Sequence, residues 1–94
     1  MDKEDREFYE RADQHINTSN DQLAGASAGQ VSASMVYGVS RFNAWNSARG
    51  FENKAQMKEA KQEVLDYFQK QYMKMLEENL DDYIDNFDTY LKKK

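Results

Sequence analysis

Cysteine and proline are absent from the chain, and glycine and histidine are scarce, at four and one of 94 residues. Without cysteine there is no disulfide framework, no thiolate metal site and no cysteine nucleophile. Without proline, and with three of the four glycines near expected helix ends, long helices joined by short connections are favoured. Nowhere do 18 apolar residues follow one another, so a membrane-spanning helix is not expected. The start, Met1-Asp2-Lys3-Glu4-Asp5-Arg6, has no apolar run behind it and does not read as a secretory signal; a cytoplasmic location is the expectation.

Charge is abundant, at 32% of residues, and unevenly spread. Between Gln22 and Phe51 the charged side chains are Arg41 and Arg49 alone. Within that stretch Val31, Met35, Val39 and Phe42 recur at helical spacing, and Ala33, Val36, Ser40, Ala44 and Ser47 form a second line of mostly small side chains. Apolar or small surface on more than one side predicts a central helix over about 31–49, with the other helices packed around it. Trp45 lies one turn from Arg41 and one from Arg49, so either guanidinium is in reach of the indole face.

Taken in order, Phe8, Ala12, Ile16 and Leu23 give a first helix over about 2–24, with Asp2, Glu4, Asp5 and Glu7 near its positive end. Asn17, Thr18, Ser19, Asn20 and Asp21 are poor interior helix formers and predict fraying or a kink. Gly25 to Gly29 reads as a loop, and Ser27 with Gln30 has the form of a capping box for the central helix. Gly50 is placed to close that helix, and Asn53 with Gln56 to cap the next.

From Asn53 to Tyr90 the pattern stays helical, with Met57, Ala60, Val64, Phe68, Tyr72, Met75 and Leu76 on one stripe and Asp66–Lys70 as a surface pair. About 38 helical residues would span roughly 57 Å, against a radius of gyration near 12 Å for a compact domain of this length. Either the helix breaks or it reaches for a partner. Asn79, followed by Leu80, Asp81 and Asp82, is the expected break, giving an all-α single domain of three to four helices. The seam of Leu80, Ile84, Phe87 and Leu91 would then be consumed within one chain, with Lys92, Lys93 and Lys94 at its negative end; a continuous helix would leave the seam open for a dimer.

Four segments carry a family resemblance: Phe8-Tyr9-Glu10-Arg11-Ala12-Asp13, Val31-Ser32-Ala33-Ser34, Arg41-Phe42-Asn43-Ala44-Trp45, and Met75-Leu76-Glu77-Glu78-Asn79-Leu80-Asp81-Asp82-Tyr83-Ile84. Together they resemble a family of small proteobacterial proteins known only as a domain of unknown function. The resemblance spans nearly the whole chain. It implies a bacterial, cytoplasmic, single-domain protein and assigns no catalytic residue.

The residues themselves offer little for catalysis. His15 is the single histidine, and a Glu-x-x-His metal motif would need glutamate where Ala12 stands, so no metal and no cofactor are expected. Arg11, His15 and Ser19 share a helix face, a pattern that more often marks solvated or capping groups than a nucleophile with its base. Six carboxylates, Glu77, Glu78, Asp81, Asp82, Asp85 and Asp88, fit the solvated side of an amphipathic helix and lack a calcium loop's glycine turn. Lys54, Lys58 and Lys61 are the one basic stripe. With a net charge of −4, neither nucleic acid nor an anionic membrane is an expected partner.

Two functional classes stand. One is a non-enzymatic interaction module, binding another protein or itself through aromatic-rich surface, including Tyr67, Tyr72, Tyr83 and Tyr90. The other is a small-molecule-binding or enzymatic bundle with a polar pocket near Arg41, Asn43 and Trp45, where Arg41 either pairs with Asp13 or extends over Trp45 with its head in water.

Overall fold

The computed structural model describes residues 1–92, and these contain α-helices and no strand. Five helices follow one another: α1 (Lys3–Gln22), α2 (Ala28–Ala48), α3 (Lys54–Glu59), α4 (Lys61–Asp85) and α5 (Phe87–Leu91). Three are long and two short, so the all-α expectation holds, with five helices among the described residues where three to four were expected. Two compact units result, one of residues 1–46 and one from Ser47 onward.

In the first unit α1 starts where the acidic turn predicted, with the Asp2 carboxylate accepting from the Asp5 backbone N–H at 2.9 Å. The helix continues without interruption through 17–21, where fraying or a kink was expected. Thr18 and Ser19 hydroxyls donate back to the carbonyls of Gln14 and His15, each at 3.1 Å, so these residues turn their hydrogen-bonding capacity inward along the helix. The Ser27–Gln30 capping box is present in both directions: Gln30 N–H donates to Ser27 Oγ at 3.1 Å and Ser27 N–H to Gln30 Oε1 at 3.0 Å.

α2 is helical where predicted, but it is not the enclosed element that its low charge suggested. Val31, at 5% exposure, is the buried hydrophobic residue among the described ones, and Met35 is half-buried. Val36, Val39, Phe42 and Trp45 all remain exposed. Absence of charge makes a helix tolerant of burial; it does not supply the neighbours. Gly50 follows the end of α2 without a left-handed backbone, because Gly50 and Phe51 N–H groups close tight turns onto the Ser47 and Ala48 carbonyls at 3.0 and 3.2 Å.

The second unit is organised by α4. Asn53 caps α3 by accepting from Gln56 N–H at 2.9 Å, while the Gln56 side chain accepts from Glu52 N–H at 2.8 Å. The helix is then interrupted at Ala60, which has no side-chain cap and a backbone at φ −88°, ψ 0°. Nothing in residue type marks that interruption.

The break expected near Asn79 is corrected: α4 runs straight through it to Asp85. Asn79 Nδ2 donates to the Met75 carbonyl at 2.9 Å, so the side chain that was read as a cap serves the turn behind it. The break falls instead at Asn86, whose Nδ2 reaches the carbonyl and carboxylate of Asp82 at 2.9 and 3.0 Å. Tyr90 then lays its ring against Tyr83, centroids 4.9 Å apart, and its hydroxyl donates to Asp82 at 3.2 Å. The seam is thus split, with Leu80 and Ile84 on α4 and Phe87 and Leu91 on α5, and all four are exposed. Lys92 pairs with Asp88 at 3.2 Å, and Lys93 and Lys94 lie outside the described residues.

Candidate functional site

Arg41, Asn43 and Trp45 sit in the second half of α2, and Asp13 on α1. At 100° per residue, Trp45 lies about 40° around the helix from Arg41, and Asn43 about 200°, on the opposite side. α2 by itself therefore does not turn these three side chains into one groove. Asn43 is half-buried, whereas Arg41 and Asp13 are exposed and no ion pair joins them among the described residues. Trp45 is 55% exposed and packs at a tilt against Phe42, centroids 5.3 Å apart. The polar contact seen between α1 and α2 is elsewhere: the Ser19 hydroxyl lies 3.5 Å from the sulfur of Met35.

The Ser19 hydroxyl that would serve as nucleophile bonds to the main-chain carbonyl of His15 rather than to its imidazole, so the two do not form a catalytic pair. Among the described residues no group of three or more His, Asp or Glu is placed to hold a metal ion. No helix among them is long and apolar enough to cross a membrane. Asp66 accepts from Gln62 Nε2 at 2.9 Å and does not pair with Lys70 as expected. One perturbed titration stands out. The Asp82 carboxylate, aided by partial desolvation and the hydrogen bond between them, raises the Tyr90 phenol above its ordinary value, because a phenolate there would face a carboxylate.

The unusual surface is on α4. Leu65, Tyr72, Leu76 and Tyr83 lie within about 20° of one line along the helix, since 18 residues make five full turns. Met73, Leu80 and Ile84 widen this face on one flank, and Phe68 and Met75 on the other. The apolar arc then covers roughly 180–200° of the circumference, about twice what a helix on the edge of a domain needs. Apart from half-buried Phe68, every one of these side chains is exposed, Ile84 at 69%. The partners available within the second unit are α3 and α5, of six and five residues. At 1.5 Å per residue they extend roughly 9 and 8 Å, against about 37 Å for α4, and cannot cover it.

Sequence reasoning placed Phe68, Tyr72, Met75 and Leu76 on one stripe and Leu80 and Ile84 on a separate seam, and missed Leu65, Met73 and the joining of stripe and seam on one helix. The signal was present as pairs eleven residues apart, Leu65 with Leu76, Tyr72 with Tyr83 and Met73 with Ile84, a spacing close to three helical turns. A shallow depression on the edge of this face is lined by Asp66, Gln69, Lys70, Met73, Lys74 and Glu77, and a second by Phe51, Gln56, Glu59, Ala60 and Glu63.

The chain is similar to a protein of known structure, the NMR structure of the protein NB7890A from Shewanella sp, with 44% sequence identity, a TM-score of 0.76 and 88% of each chain covered. No curated relative matches it. A family model described as a protein of unknown function, DUF3144, matches residues 8–84, which include all four segments that carried the resemblance. The chain belongs to the DUF3144 family of proteins of unknown function.

Proposed function

We propose that this protein is a non-enzymatic, cytoplasmic helical module whose work is to bind protein. The observation that carries the reading is the open apolar face of α4, half a helix circumference of large side chains with no element of its own unit long enough to cover them. Patches of this breadth are costly to leave in water and mark association surfaces. Tyr72 and Tyr83 suit such a role, each combining a broad apolar ring with a hydroxyl able to reach the wet rim.

A thermal-unfolding screen of the full chain tests the proposal against the ligand-binding alternative. Strong binding of an apolar fluorescent dye to the open face, and no saturable response to a panel of metabolites, is the expected result. A metabolite that raises the midpoint saturably, and loses that effect on Arg41→Ala, would instead support a binding pocket at Arg41, Asn43 and Trp45.

A further inference from the structure

We infer that the occupant of the α4 face is a second copy of this chain, paired antiparallel along α4; the inference rests on the interaction reading above and names its partner. Area is the first argument. Leu65, Tyr72, Leu76 and Tyr83, with the exposed flanking Met73, Met75, Leu80 and Ile84, each present about half their surface. Large side chains carry about 150–250 Å², so the eight together offer roughly 600–1,000 Å² per chain. A symmetric pair doubles this to about 1,200–2,000 Å², the size of a stable specific interface.

Charge sets the direction of pairing. Residues 77–88 carry six carboxylates and no cation, a net −6, whereas residues 60–71 carry two lysines and two carboxylates, a net of zero. Parallel pairing would stack six carboxylates on six; antiparallel pairing about the middle of α4 sets each acidic stretch against the neutral one and removes that repulsion.

The register follows from the face itself. The four central residues are symmetric about position 74, so a twofold axis there sets Leu65 opposite Tyr83 and Tyr72 opposite Leu76 of the second copy. Lys70 and Glu77, at about 140° and 120° from the Leu65 direction, point away from the paired face, so the register is set by the apolar residues and not by an ion pair.

Sedimentation of the full chain from about 1 to 100 μM is the first measurement, with a dimer expected across most of that range. Because the chain has no cysteine, single introduced thiols read the register. On mild oxidation Leu65→Cys should cross-link with Tyr83→Cys and Tyr72→Cys with Leu76→Cys, while Leu65→Cys should not cross-link with itself. Efficient cross-linking of Tyr83→Cys to itself would overturn the antiparallel arrangement. A monomer at 100 μM would overturn self-pairing altogether, and binding of an apolar fluorescent dye then separates two cases. Strong dye binding leaves the face open and the interaction reading intact; weak binding means that the face is covered within one chain, and both readings fall.

Discussion

α2 and α4 are both long helices, 21 and 25 residues, and both leave large apolar side chains in water, yet they arrive there by opposite routes. α2 has one charge, Arg41, and spreads small and apolar residues around its whole circumference, so it has no strongly preferred side to bury. α4 is densely charged but, apart from Lys61 in its first turn and Tyr67 on the far side, keeps its charges on one side and its large apolar residues on the other. Segregation, more than low charge, defines a docking surface, because it lets one face leave water while the other stays solvated.

Substitutions can sharpen this contrast. The largest effect is expected at the centre of the α4 face. Leu76→Ala should cost about 2–4 kcal/mol per chain if a second copy covers it, and the loss should shrink as protein is diluted below the dissociation constant. The matched change on α2, Val36→Ala, should cost under about 1 kcal/mol at every concentration, because that side chain stays largely in water. Urea denaturation at two protein concentrations compares them, and equal losses would erase the distinction.

Trp45→Ala should fall between these. A fully buried tryptophan is worth about 3–5 kcal/mol, and with roughly half the residue in water the expected loss is about 1–2 kcal/mol. Ser27→Ala and Asn53→Ala should cost about 1 kcal/mol each, since each removes a cap that satisfies an otherwise orphaned N–H of α2 or α3. Thermal melts resolve differences of this size. At Arg41 and Asp13 a double-mutant cycle should give coupling below about 0.3 kcal/mol, both groups being exposed and not joined by an ion pair.

The smallest expected effect is one of pH, at the junction of α4 and α5. The Tyr90 phenol is raised, so the folded chain favours its neutral form over the unfolded chain. The contribution is fully present below the ordinary tyrosine value near 10 and is lost as pH rises through the higher folded value, when phenolate and Asp82 repel. Ultraviolet titration of the parent against Tyr90→Phe should assign the last ionising tyrosine to Tyr90. An unchanged final phase would detach α5 from Asp82.

How legible the molecule was depended on the kind of signal. Caps are local: Ser27 with Gln30 and Asn53 with Gln56 act within four residues and were readable from spacing alone, whereas Asp2 was legible only as negative charge at the positive end of α1. The interruption at Ala60 and the continuity through Asn79 were not, because an asparagine side chain can serve either as a cap or as a donor to the carbonyl four residues back. Asn79 and Asn86 both donate backward, to Met75 and Asp82, and the helix ends at one and not the other. Docking of Tyr90 on Tyr83 and Asp82 distinguishes them, a contact between residues seven and eight apart. At the candidate site, the grouping of Arg41, Asn43 and Trp45 followed proximity in sequence, which a 100° helical step undoes.

By itself the sequence determined an all-α chain, the positions of α1 and α2 and the helical character of the C-terminal half, since these depend on composition and on a periodicity of 3.6 residues. Which apolar residues would lose contact with water was decided by tertiary structure alone. Burial requires a neighbour at a given distance and angle; the first unit supplies one for Val31, and within the second unit α3 and α5 are too short to cover the α4 face.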